Sequence, residues 1–293
     1  MNARGERQIP VVKSQPLIVG LVSDLFFTVK IDYVARQLGY RVRWIERAEE
    51  VSPPDTLDDD DTLRQLAEAM RGQVASFIAL LVEEQPALVI FDLNNNAVPW
   101  DKWIAAAKSS PATRRTPIIA FGSHMDVETQ TRAKAAGADA VLAKSRFTEA
   151  LPQLVTKYAR VPDRAAISDD CRGELPAAAL RGLAHFNAGE YFEAHEELER
   201  AWNEEVGPAR ELYRAILQVA VAYLQITRGN YDGALKMFMR ARQWIDPLPD
   251  ECRGVKIGQL REEAKSVREE LERLGPERIG QFDPSLMKPV IWS

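Results

Sequence analysis

Between residues 17 and 160, short β-branched and aromatic runs alternate with stretches of helical periodicity. Leu17–Val22, Arg41–Ile45, Ala87–Phe91, Pro117–Phe121 and Ala140–Leu142 read as strands, and Phe27–Leu38 and Phe147–Arg160 as helices. Strands and helices in alternation are the signature of a doubly wound parallel sheet. A further stripe, Leu63, Leu66, Met70, Val74, Phe77 and Leu81, recurs at spacings of three and four and predicts a long helix. Ahead of it Asp55 and Asp58–Asp61 form an acidic run, placed where a helix dipole favours negative charge and read as solvated rather than as a cation site. From Ala177 to Leu274 the strand signal disappears, and helical segments are separated by Gly189, Gly207-Pro208, Gly229-Asn230 and a loop from Pro247 to Gly254.

The pattern therefore divides the chain into an α/β domain over 16–160, a polar linker over 161–176, an all-helical domain over 177–275 and an extended tail over 276–293. The expected fold class is α/β plus all-α, a five-stranded parallel sheet followed by a helical bundle. Within the second half, Gly189-Glu190-Tyr191-Phe192-Glu193-Ala194 and Gly229-Asn230-Tyr231-Asp232-Gly233-Ala234 share a Gly-x-Tyr-x-x-Ala pattern. Each copy opens a helix after an earlier one has ended, which gives the bundle helical-repeat character; two copies are too few for an open solenoid.

Composition narrows the function classes. Of the 293 residues 46% are hydrophobic and 28% charged, enough apolar surface for two cores. A net charge of -5, without a basic stripe, offers no field for a phosphate backbone, so nucleic acid is not an expected partner. The polar start is not followed by an apolar leader, and the longest near-apolar stretch, Ala215–Ile226, is far too short to span a bilayer; a cytoplasmic protein without membrane association is expected. Cys171 and Cys252 have neither metal-ligand nor redox-motif spacing, and both read as reduced bystanders, a disulfide between them being the alternative.

Ligand sites of parallel sheets lie beyond the carboxyl ends of the strands. Asp24 follows the first strand, Asp92 ends the third, Ser123 follows the fourth and Lys144 the fifth, so all four are expected at one edge. The set resembles the receiver domain of bacterial response regulators, and Gly137-Ala138-Asp139-Ala140-Val141-Leu142-Ala143-Lys144 is similar to that family's wording around its lysine. The resemblance implies Asp92 as phosphoacceptor, supported by Asp24, Ser123 and Lys144, with Mg²⁺ held on Asp24 and Asp92 and no other cofactor. Departures accompany it. The acidic pair is Ser23-Asp24, the hydroxyl position falls on Gly122 or Ser123, the switch aromatic is Val141, the proline after the lysine is Ser145, and the loop from Asp92 to Pro99 is longer. The domain accordingly reads as a degenerate receiver.

In the helical half, Tyr191, His195, Leu198 and Trp202 fall on one helical stripe, with Glu199 one turn beyond His195. The segment Gly189–Trp202, together with Arg210, Ile216-Leu217-Gln218 and Gly229-Asn230, resembles a bacterial family known as domain of unknown function 309. The polar cluster Glu193, His195, Glu196, Glu199, Arg210 and Gln218 is expected to form a buried network, with Glu196 or Glu199 paired to Arg210. The functional expectation is a non-enzymatic signalling or scaffold protein that binds protein partners and forms homodimers. A functional phosphoacceptor receiver is the second reading, and a metal-dependent enzyme centred on His195, Glu196 and Glu199 the third.

Overall fold

The computed structural model describes residues 15–51 and 62–293, with the backbone alone over 62–71. The described residues divide into two compact units, one of residues 15–51, 62–77, 86–106 and 116–161, the other of 78–85, 107–115 and 162–293. The acidic run Asp55 to Asp61, and the side chains of Leu63, Leu66 and Met70, lie outside the described residues.

The α/β part of the chain alternates β1 (Leu17–Leu21), α1 (Leu25–Gln37), β2 (Arg41–Trp44), α2 (Thr62–Glu84, of which 62–77 belong to the first unit), β3 (Leu88–Asp92), α3 (Trp100–Ser109, of which 100–106 do), β4 (Ile118–Gly122), α4 (Val127–Ala135), β5 (Ala140–Ala143) and α5 (Lys144–Tyr158). The strands form one parallel sheet in the order β2-β1-β3-β4-β5. Every residue of β1, β3 and β4 is buried, as expected of central strands covered on both faces. On one face Phe27, Phe121 and Phe147 pack together, the last two stacked at 4.1 Å. On the other, Phe77 stacks on Trp103 at 4.4 Å and meets Phe91 edge-on. Phe77, in the apolar stripe of α2, is wholly buried.

The second unit contains α6 (Arg164–Asp170), α7 (Ala177–Asn187), α8 (Tyr191–Glu204), α9 (Glu211–Thr227), α10 (Tyr231–Ile245) and α11 (Ile257–Leu274). Both Gly-x-Tyr-x-x-Ala copies sit at helix hairpins. Gly189 (φ 79°) and Gly229 (φ 68°) turn the chain in the left-handed region that glycine enters without strain. Ala194 and Ala234, one turn into α8 and α10, are fully buried, their small side chains allowing close helix approach. α9 is the central helix, buried on most of its circumference from Leu212 to Ile226.

Three expectations are corrected in this unit. Residues 161–176 are not a bare linker, because α6 forms there and Ile167 and Cys171 join the hydrophobic core. The tail is not simply extended. It makes two short 3₁₀ turns at Pro276–Gln281 and Pro284–Leu286, buries Phe282 and Val290, and exchanges two hydrogen bonds between Val290 and Asn187. Cys171 and Cys252 are joined in a disulfide, with Cα atoms 4.5 Å apart. Next to it Arg253, 6% exposed, donates to Glu205 at 2.6 Å, to the Tyr213 hydroxyl at 2.6 Å and to Asp170 at 3.2 Å. Burial alone would depress the charge on Arg253, but Glu205 and Tyr213 outweigh it and hold the guanidinium protonated more firmly than usual.

Two predictions follow from this knot. The disulfide closes 81 residues of chain, so Cys171→Ser with Cys252→Ser should lower unfolding free energy by about 4 kcal/mol, read in urea denaturation; an unchanged midpoint would mean the bond does not form. Arg253→Met should cost about 2–3 kcal/mol, since Glu205 and Asp170 lose their charged donor while keeping the amide donors of Val206, Gly207 and Ala209. A loss well under 1 kcal/mol would show that solvent already screens those carboxylates.

Candidate functional site

Strand order brings part of the expected set together at the carboxyl edge of the sheet. Asp92, the last residue of β3, is 2% exposed. One of its oxygens, Oδ1, accepts from the Asn94 amide at 3.0 Å, and Oδ2 lies 3.9 Å from Lys144 Nζ. Lys144, the first residue of α5, stands 4.0 Å from Asp24 Oδ2 and 5.0 Å from the centre of the Phe27 ring. Asp24 caps α1, its Oδ1 accepting from the Phe26 amide at 3.0 Å. One ammonium thus bridges two carboxylates.

Burial is the largest influence on Asp92 and raises its pKa, against the Asn94 amide and Lys144, which lower it. The acceptor loop is itself tied down. Asn95, 3% exposed, donates from Nδ2 to the Glu46 carbonyl and accepts from the Ala97 amide, while the Ala48 amide donates to Ala97. Asn95 is a structural polar residue that the sequence reading did not single out. Its only signal was its place in the unusual Asn94-Asn95-Asn96 run.

Ser123 has a different role from the expected one. Its hydroxyl accepts from the Met125 amide at 3.3 Å, and its carbonyl accepts from the Gln130 side chain and the Asp126 amide. Gly122 is the residue that ends β4, and a Cβ built there would meet Leu93 Cβ at 3.2 Å. Leu93, directly after Asp92, therefore crowds the position where a hydroxyl side chain would stand. For Mg²⁺ the fit is poor. The ion requires near-octahedral oxygen coordination, whereas the two carboxylates present already share the tethered Lys144 charge and Asp24 spends one oxygen on a helix cap.

The helical cluster does not assemble as expected. Buried positions on α8 are Tyr191, Ala194, Leu198 and Ala201, a three- and four-residue phase that turns Glu193, Glu196 and Glu199 outward and leaves His195 half-buried. Arg210 pairs with no carboxylate among the described residues; its guanidinium instead lies over Trp202, 4.5 Å from the ring centre. Gln218 is 7% exposed, and its Oε1 has no hydrogen-bond partner. Glu197 is the α8 acid that pairs, taking a double hydrogen bond from Arg181. Among the described residues no group of three or more His, Cys, Asp or Glu is gathered as a metal site.

Strand order β2-β1-β3-β4-β5 and the Asp24–Lys144–Asp92 group at its carboxyl edge define a receiver-like α/β unit, here on one chain with a helical unit. Residues 179–237 of the latter match the family model described as Domain of unknown function (DUF309). An uncharacterized protein of Aquifex aeolicus (strain VF5) is 29% identical over 99 residues, covering 32% of this chain; the chain spans 27% of that relative's length. Solved structures similar to the first half include the phosphorylated cyanobacterial phytochrome response regulator RcpA, with 12% identity, 51% of this chain and 99% of that one covered, and a TM-score of 0.37. Chemotaxis response regulator CheY4 of Vibrio cholerae is another, at 16% identity, 49% and 98% coverage, and a TM-score of 0.34. At those values the strand order itself carries the fold assignment. No helix among the described residues is long and apolar enough to cross a membrane.

The raised Asp92 pKa has a consequence for stability. The folded protein holds this proton to higher pH than the unfolded chain does, so stability falls as pH rises from the ordinary carboxylate value through the folded one. Asp92→Asn keeps the acceptor for the Asn94 amide and removes the ionisation cost. Its urea midpoint relative to wild type should therefore be more favourable at neutral pH than below the ordinary carboxylate range. A difference that stays constant over that span would show that Lys144 fully offsets burial.

Proposed function

We propose that the protein is a non-enzymatic signalling or scaffold protein, a pseudo-receiver joined to a helical protein-interaction module. The observation that carries the reading is the state of Asp92. It is 2% exposed, hydrogen-bonded to its own loop and 3.9 Å from the Lys144 ammonium, an arrangement suited to a structural acid rather than an open nucleophile. The residue that would pass a phosphorylation signal to the surface as an aromatic side chain is Val141, and Leu93 crowds the strand end beside Gly122.

A partner-binding role is supported by α1. Leu25, Phe26, Val29 and Tyr33 are 75%, 63%, 61% and 65% exposed, a contiguous apolar stripe of the kind that marks protein contacts. The second reading, a working phosphoacceptor, is favoured by the convergence of Asp24, Asp92 and Lys144. Intact-mass measurement after incubation with a small phosphodonor and Mg²⁺ separates the two. The proposal expects no adduct on either wild type or Asp92→Asn, whereas a phosphoryl adduct on wild type alone would overturn it in favour of a functional receiver.

A further inference from the structure

The helical unit contains a second polar cluster that the pseudo-receiver reading leaves unused. Arg210, Arg214 and Gln218 succeed one another at four-residue intervals along one face of α9, starting at its N-cap. Against that face stand Trp202, in the last turn of α8, and Trp244, in the last turn of α10, one turn beyond Arg240. Arg214, its side chain 12% exposed, lies 4.7 Å from the Trp202 ring centre and 3.8 Å from that of Trp244. Arg210 also stacks on Trp202, and Arg115, in the same compact unit, lies 4.6 Å from the Trp244 ring centre.

Planar stacking fixes these guanidiniums but leaves their edges and charge to be satisfied. Among the described residues the acid paired with Arg210, Arg214 or Arg240 is Glu211, 3.6 Å from Arg214 and without a hydrogen bond on Oε2. Counting Arg210, Arg214 and Arg240 against Glu211 leaves two positive charges unmatched. The charged groups that act on Arg240 are themselves cations, Arg114 and Arg115; its charge is disfavoured first by burial and then by them. Arg214 is treated in the same way, burial first, with Arg115 and Arg240 adding to it and Glu211 opposing.

Hydrogen-bond capacity is unspent at the same place. Trp202 Nε1, Arg210 Nε and Trp244 Nε1 are buried donors without an acceptor. Trp244 is only 8% exposed, so its N–H has given up water without compensation. A protein that needed these arginines only to stack would be expected to pair their charge. Surplus donors with surplus positive charge call for an oxyanion, and two unmatched charges together with several donors suit a phosphate dianion, with its three peripheral oxygens, better than a carboxylate.

We propose that Arg210, Arg214 and Arg240, with the indole N–H groups of Trp202 and Trp244, form a binding site for the phosphoryl group of a small phosphorylated ligand. Trp202 and Arg210 are two of the motif positions that carry the likeness to the helical family, so the proposal gives those positions a ligand. The site draws on no residue of the Asp92 group.

Calorimetric titration of the full chain with inorganic phosphate, pyrophosphate and phenyl phosphate tests it, with tryptophan fluorescence as a second readout and acetate at matched ionic strength as the control. Saturable binding of at least one phosphoryl probe and none of acetate is expected. Arg240→Gln should weaken binding by about tenfold or more, the loss of one charge-assisted contact, with an unchanged circular dichroism spectrum. Trp244→Phe, which keeps the ring and removes the N–H, should weaken it less, and Asp92→Asn should bind as wild type does. Absence of saturable binding to all three probes, equal binding of acetate, full affinity in folded Arg240→Gln, or loss of binding in Asp92→Asn would each overturn the assignment.

Discussion

Parallel strands joined by crossover helices must all end at the same edge of the sheet, and the polar chemistry of the first unit depends on that constraint. Asp24, Asp92 and Lys144 are separated by as much as 120 positions in sequence, yet the order β2-β1-β3-β4-β5 leaves them little choice but to meet. Once they meet, the energetics are those of a carboxylate pressed against a dry sheet. Asp92 is buried at the end of a central strand, paired with Phe121 of β4, and it needs a cation nearby; Lys144 at the start of α5 supplies one.

The helical unit solves a related problem with charge rather than with sheet order. Its segments before α7 and after α11 are short and irregular, with little apolar periodicity to hold them. They are anchored by long-range bonds instead: the disulfide from Cys171 to Cys252, the Arg253 contacts to Asp170, Glu205 and Tyr213, and the Asn187–Val290 pair. Arg253 adopts a left-handed backbone (φ 50°), a conformation unusual for a residue with a side chain, and the three partners of its guanidinium explain why it is held there.

This difference explains what the sequence made legible. Sheet strands were readable because each is a run of buried apolar residues, and the convergence of Asp24, Asp92 and Lys144 followed from topology. The hairpins at Gly189 and Gly229 were readable because the glycine, tyrosine and alanine of each turn act locally. The packing of α6, the tail and the disulfide was not readable, since each depends on partners up to about a hundred residues distant that no local pattern announces. The α8 polar cluster failed for a subtler reason. Its stripe was assigned with Tyr191 and Leu198 correctly inward, but His195 and Trp202 lie on the flank of that stripe, where Ala194 and Ala201 take the centre. A rotation of one residue was enough to turn Glu196 and Glu199 from a buried network to solvent.

The state of each polar group, rather than its identity, separates the two candidate sites. A carboxylate such as Asp92 at the end of a buried strand must be neutralised for the fold to be stable, so a lysine beside it is required whether or not any phosphoryl group ever arrives. The presence of the acid and the lysine therefore says little about phosphorylation, because the fold accounts for both. Trp202, Arg210 and Trp244 are in the opposite position. They sit in a folded, well-packed bundle with donors that nothing in the described chain accepts, and burial of an unmatched donor costs about 1–3 kcal/mol. Among the described residues Trp103 Nε1, Arg261 Nε and Arg268 Nε also lack acceptors, so what sets this place apart is the coincidence of unmatched donors with surplus positive charge on the stacked Trp202 and Trp244 rings.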